Sequence, residues 1–240
     1  MMLGVYGHSN SGKTTLVVEL VGRLVKKGYR VATAKHIYEP GFTIDEAGTD
    51  TYRHGKAGAG LVAAVSGSET AFIVRHRGDL QEVLGNIRSL GAFDVILVEG
   101  FKKSPLPKVK VGRIRTEPNT VFEYSSGEDM GKLMSYIERR VGMERILSRL
   151  PGLNCGRCGT GCEGLAARIS EKRAACEDCP HFSEKRVFIK LDGREIPMGK
   201  FARDAVSGTL LGLCSSLKGL EKLRKARAGS IEVSITTGKT

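Results

Sequence analysis

The stretch Met2-Leu-Gly-Val-Tyr-Gly7-His-Ser-Asn-Ser-Gly12-Lys-Thr-Thr-Leu-Val-Val-Glu-Leu20 decides the reading of this chain. Leu3, Val5 and Tyr6 form a short apolar run that suits a buried strand. Residues 7–14 then spell G-x-x-x-x-G-K-T, and Leu16, Val17, Leu20, Val21 and Leu24 follow at helical spacing. Strand, glycine-rich loop and helix is the context in which this motif cradles phosphate. Gly7 and Gly12 let the backbone curl so that successive N–H groups point at one anion. The helix adds the positive end of its dipole. Gly7, His8, Ser9, Asn10, Ser11, Gly12, Lys13, Thr14 and Thr15 are therefore the expected nucleotide-binding residues. Lys13 reaches the β- and γ-phosphates, and the Thr14 hydroxyl is placed to ligate Mg²⁺.

Working outward, helix 13–27 stops at Gly28 and a second strand covers 30–35, which predicts a parallel α/β sheet of the P-loop NTPase type. A polar loop follows, then a short helix from Asp50 and two strands at 61–65 and 70–74. An amphipathic helix spans 80–90. Phe93-Asp-Val-Ile-Leu-Val98 is a buried strand that delivers Glu99 to the sheet edge where open α/β sheets bind ligands. Glu99 is thus the expected acid of the Mg²⁺ shell, whereas Asp94 begins the strand at the far edge. Lys35 and His36 end the second strand at the same edge as Glu99 and are further expected nucleotide-binding residues. Asp45 and Asp50 reach it if their loop folds back, and Asp50 is the chosen second acid. Strands at 108–114 and 121–124 and a helix at 129–140 complete the first part, with 141–149 as a second helix or connector.

The 240 residues suit a nucleotide domain at 1–149, a cysteine-rich segment at 150–183 and an α+β module at 184–240, built from a hairpin around Asp192-Gly193, a helix at 200–216 and a strand at 231–235. No apolar run approaches membrane-spanning length, and the phosphate loop starts too early to leave room for a signal peptide, so a cytoplasmic protein is expected. The net charge of +12 is spread evenly along the chain and lacks a nucleic-acid-binding aromatic signature; it suits anionic small molecules or an acidic partner better than nucleic acid.

Five of the six cysteines fall between 155 and 179. Cys155-x2-Cys158-x3-Cys162 on a glycine-rich turn, with Cys176 and Cys179-Pro180 later, suits an iron–sulfur cluster closed by a distant fourth thiolate. The pairs 155/158 and 176/179 would instead suit zinc. Cys214, in an apolar helix, reads as a structural thiol.

Five motifs appear in order: the phosphate loop, Lys35-His36, Asp45 with Gly48-Thr-Asp-Thr-Tyr-Arg53, Ala57-Gly-Ala59, and Asp94-Val-Ile-Leu-Val-Glu-Gly-Phe-Lys102. Together they resemble the molybdopterin-guanine dinucleotide biosynthesis adapter (MobB) family over about residues 2–140. The resemblance implies a homodimeric GTP-binding protein with weak GTPase activity, partnering the guanylyltransferase that acts on molybdopterin. GTP comes from the resemblance alone, because no Asn/Thr-Lys-x-Asp stretch is present to read guanine. An NTP-driven metallocluster carrier is the alternative from another class. The cysteine segment from Leu150-Pro-Gly resembles a small four-iron–four-sulfur (4Fe–4S) domain of pattern C-x2-C-x4-C-x16-C, here with a second gap of three; the resemblance implies Cys155, Cys158, Cys162 and Cys179 as the ligands, with Cys176 as the alternative fourth.

Overall fold

The structure, a computed structural model, describes residues 1–76, 78–125, 127–182, 189–191 and 194–216. The chain divides into two compact units, 1–141 and 142–240.

In the first unit, five strands form one parallel sheet: β1 (Met2–Tyr6), β2 (Val31–Lys35), β5 (Val95–Glu99), β6 (Lys108–Val111) and β7 (Thr120–Tyr124). Their order is β2-β5-β1-β6-β7, so the strand feeding the phosphate loop is central. Central parallel strands are covered on both faces and need continuous apolar runs. Val-Ile-Leu-Val in β5 meets that need and is buried throughout. Alternation divides the run: Val95 and Leu97 pack with Leu16, Leu20 and Leu24 of α1 (Lys13–Lys26), whereas Ile96 and Val98 pack with Leu80 and Leu84 of α3 (Leu80–Leu90). Met130, Leu133, Met134, Ile137 and Val141 share one stripe of α4 (Asp129–Leu147) and join the α1 face. Each fully buried Leu or Val contributes about 1.5–3 kcal/mol.

The strands β3 (Leu61–Val65) and β4 (Thr70–Val74) form where expected and make a separate antiparallel ribbon. They turn through Ser66, whose N–H donates to the Glu69 carbonyl. The helix expected at 129–140 continues to Leu147 without a break, because the run through 141–147 contains no proline and keeps Val141 on the apolar stripe. The short helix α2 (Asp50–Lys56) starts where expected, capped by the Thr49 hydroxyl, which accepts from the Tyr52 N–H.

The second unit holds α5 (Cys162–Ser170), a 3-10 turn at Cys176–Asp178, the short pair β8 (Ile189–Leu191) and β9 (Arg194–Ile196), and α6 (Lys200–Ser216). Leu150, Leu165, Ala166, Cys176 and Cys179 form its core, with Ile169 and Phe182 against them. The helix α5 was not expected; Leu165, Ala166 and Ile169 carry its short apolar stripe. The turn at Asp192-Gly193, the strand at 231–235 and the Cys214 side chain lie outside the described residues. Among the described residues no helix is long and apolar enough to cross a membrane.

Candidate functional site

Parallel register assembles the site. Val5 of β1 lies beside Glu99 of β5, and Lys35 of β2 lies on the other side of Glu99. The C-terminal ends of three strands thus bring the loop, the acid and a lysine to one edge. From there the phosphate loop bends through Asn10 (φ 59°) and Gly12 (φ 89°) into α1. A Cβ on Gly7 would run into the Val111 carbonyl and the Ser11 hydroxyl, so only glycine fits this close approach. Gly12 caps α1 with no side-chain hydrogen bond, and the first turn carries no acid. Its N–H groups and positive dipole end therefore face the loop uncompensated.

Thr14 Oγ1 donates to Glu99 Oε1 at 2.9 Å. Lys35 Nζ lies 3.5 Å from the same oxygen. Glu99 is only 9% exposed, so its charge sits in a poorly solvated place against a hydroxyl and an ammonium. Lys13 Nζ donates to the His8 carbonyl across the loop. His8, Ser9 and Asn10 form the exposed rim, and the Ser11 hydroxyl is a buried polar atom without a protein partner among the described residues. His36 continues β2 by donating its N–H to the Glu99 carbonyl.

The other acids stand elsewhere. Asp50 heads α2 with its side chain 86% exposed, 3.4 Å from Arg53. Asp45 is held by the Arg75 guanidinium and by the Thr51 and Thr49 hydroxyls. Burial pushes the Asp45 carboxyl up, but those hydrogen bonds and the Arg75 charge outweigh it, and it titrates below the usual carboxylate range. Asp45 therefore ties the loop to the end of β4. Asp94 accepts from the Arg30 N–H at 2.9 Å at the start of β5, the edge away from the phosphate loop.

Lys108 is the residue that the sequence pattern hid. Lys108-Val-Lys-Val forms the strand that its alternation suits, yet the charged Lys108 is only 1% exposed. Its partner in register is Gly4, whose missing Cβ leaves room for the stem; a Cβ there would stand 2.8 Å from Lys108 Cγ. Lys108 Nζ donates to the carbonyls of Lys102 (2.9 Å) and Ser104 (2.7 Å), bracing the loop after β5. Burial pulls its pKa below the ordinary lysine value, with Glu117 acting in the opposite sense. A lysine opposite a strand glycine is the signal that could have found it.

In the second unit all five cysteines between 155 and 179 are free thiols. Among the described residues no three cysteine, histidine or acidic side chains stand at ready-made metal-ligand geometry. The donor chemistry nevertheless fits an iron–sulfur cluster. Asn154, Gly156 and Gly159 turn the segment through positive φ. The Asn154 N–H donates to Cys162 Sγ at 3.3 Å, while its side-chain oxygen accepts from the Cys162 N–H at 3.0 Å. Burial raises the Cys179 thiol, a backbone hydrogen bond at His181 lowers it, and the sulfurs of Cys158, Cys162 and Cys155 raise it again. Cys176 is buried in the same core.

With this geometry in view, the comparisons are specific. The family described as "MobB: Molybdopterin guanine dinucleotide synthesis protein B" matches residues 2–132. The chain belongs to the MobB family. A second family, described as "Putative Fe-S cluster", matches residues 150–181. Over 92% of this chain and 93% of its own length, a Methanocaldococcus jannaschii protein named "Putative molybdopterin-guanine dinucleotide biosynthesis adapter protein" is 29% identical. The Escherichia coli molybdopterin-guanine dinucleotide biosynthesis adapter protein is 32% identical over 47% of this chain and 65% of its own. Among solved structures, Bacillus subtilis MobB aligns with a TM-score of 0.46 at 23% identity, covering 56% of this chain and 96% of that one. The archaeal relative spans the cysteine segment as well as the MobB part, whereas the match to the E. coli protein covers about half of the chain.

Proposed function

We propose that this MobB-family protein is a GTP-binding adapter with weak GTPase activity that assists the guanylyltransferase acting on molybdopterin. The observation that carries the reading is the Thr14–Glu99 hydrogen bond at the mouth of the phosphate loop. A loop hydroxyl and a strand-end carboxylate in contact are the protein's half of a Mg²⁺–phosphate site. When bound, Mg²⁺ would neutralise the phosphate oxygens. Lys13 and the first-turn N–H groups of α1 would hold those oxygens, and Lys35 would balance the Glu99 charge. Weak hydrolysis is in keeping with the acids, since Asp45 is engaged by Arg75 and Asp50 is exposed beside Arg53. The reading includes a cytoplasmic homodimer. It also includes a 4Fe–4S cluster on Cys155, Cys158, Cys162 and Cys179, supported by the Asn154 hydrogen bonds to Cys162 and by the packing of Cys158 and Cys162 against the core that holds Cys179.

Affinity purification of the full chain from its native host tests the adapter role. A molybdopterin guanylyltransferase is expected among the bound proteins. Its absence, with GTP binding intact, would remove the adapter role and leave a nucleotide-binding protein.

A further inference from the structure

Two hollows flank the P-loop strand. The smaller, about 250 Å³, lies toward β6 and β7 and is walled by Ser11, Gly12 and Thr15 of the phosphate loop itself, with Gly112 and Tyr124. A nucleoside attached to a loop-bound triphosphate has room there, continuous with its phosphates. The larger, about 660 Å³, lies at the ends of β2 and β5 and takes none of its wall from residues 7–15.

The chemistry of this larger cleft is selective. His36 packs its ring 4.4 Å from Phe101 and edge-on to Tyr38 at 4.1 Å. Leu80 and Pro105 continue the apolar wall. Lys102 and Lys103 are exposed at the mouth. The Asp79 carboxylate also lines the cleft, but it caps α3 by accepting from the Glu82 N–H at 2.9 Å. Two lining residues present buried polar atoms with no partner among the described residues, His36 Nδ1 and Ser104 Oγ. Buried polar atoms are normally paired, and each such exception calls for a cause.

The backbone here is also unusual. Phe101 sits at φ 47° directly after Gly100 at φ 92°, the left-handed region that bulky residues avoid. The Ser104 N–H holds the Phe101 carbonyl at 2.8 Å, and the buried Lys108 ammonium holds the next carbonyls of the same loop. Strain of this kind persists only where surrounding structure enforces it. Here it keeps an aromatic ring at the cleft.

We infer that this cleft is a second ligand site, for a planar heteroaromatic ring that carries an anionic substituent and is bound independently of the P-loop nucleotide. The aromatic wall stacks the ring. His36 Nδ1 and Ser104 Oγ meet its hydrogen-bonding edge, and Lys102 and Lys103 take the anion. The inference rests on the adapter reading, to which it adds a place for a pterin-type substrate beside the nucleotide. A nucleobase has the same chemistry, so the test separates the two sources.

The probe is pterin-6-carboxylate, titrated by its own fluorescence into the full chain with and without saturating non-hydrolysable GTP analogue and Mg²⁺. Fluorescent GTP binding is measured in parallel. Saturable pterin binding that persists with the analogue present is expected. Tyr38→Ala should weaken it about three- to tenfold, the span of one aromatic contact, and the double change Lys102→Glu, Lys103→Glu should weaken it further; both variants should bind GTP within twofold of wild type. Displacement of the pterin by the GTP analogue would assign the cleft to the nucleobase and overturn the inference. So would an absence of pterin binding, or unchanged affinity in the variants, while GTP still binds. Loss of GTP binding by the wild-type chain would instead count against the adapter reading itself.

Discussion

Replacing Glu99 with Gln tests the proposed metal role of this carboxylate apart from its role in the fold. Gln keeps the shape and an oxygen that accepts the Thr14 hydroxyl, so the 2.9 Å contact survives as a neutral hydrogen bond. The loss there is the difference between a charged and a neutral acceptor, about 1 kcal/mol. The Lys35 pair is longer, at 3.5 Å, and its lysine is 57% exposed; such a pair contributes about 0–1 kcal/mol. Folding stability should therefore fall by no more than about 2 kcal/mol. The effect on Mg²⁺ should be larger in proportion, because residues that orient a metal's ligands typically change metal affinity about 10- to 100-fold. Fluorescent GTP titrated at several Mg²⁺ concentrations reads this directly. Glu99→Gln should need at least about tenfold more Mg²⁺ to reach half-maximal GTP affinity, with GTP binding in EDTA little changed. An unaltered Mg²⁺ midpoint in a folded variant would refute the assignment of Glu99 to the metal shell.

Other consequences follow from single contacts. Gly100→Ala forces φ 92° on a residue with a Cβ and places that atom 2.9 Å from His36 Cβ; thermal melting should show a loss of about 1–2 kcal/mol from the backbone alone. Asp45 has its pKa lowered in the folded state, so it stabilises the fold above its ordinary value of 3.8 and loses that contribution as the pH falls through the lower folded value. The urea midpoint of wild type should exceed that of Asp45→Asn at pH 5–7, and the difference should shrink below pH 3.8; a constant difference would show that charge plays no part. Cys155→Ser should lose iron and its visible absorption after anaerobic purification yet bind GTP normally, since the cysteines belong to the second compact unit. Stoichiometric zinc without iron in wild type would replace the cluster with a structural metal.

The sheet and its P-loop were readable because they depend on local runs. Val-Ile-Leu-Val before Glu99 is a short β-branched apolar run that suits a buried strand, and parallel register then carries Glu99 to Thr14. The site departs from its sequence reading where long-range partners decide. Lys108 looks exposed until Gly4 is placed opposite it. Asp45 looks like a metal acid until Arg75, thirty positions away, is brought against it. The β3–β4 ribbon has strand composition, but nothing local in Leu61–Val65 says that it pairs only with its neighbour. The cysteine spacing pointed to the segment that the family described as "Putative Fe-S cluster" matches, whereas the helix that begins at Cys162 was masked by the glycines around it.

The most direct measurement is fluorescent GTP binding to the full chain, wild type against Lys13→Ala, with Mg²⁺ present and ATP as competitor. Saturable binding in wild type, displacement by GTP more readily than by ATP, and loss of most of the affinity in Lys13→Ala are expected. Equal binding by the two proteins, or a clear preference for ATP, would contradict the GTP-binding reading.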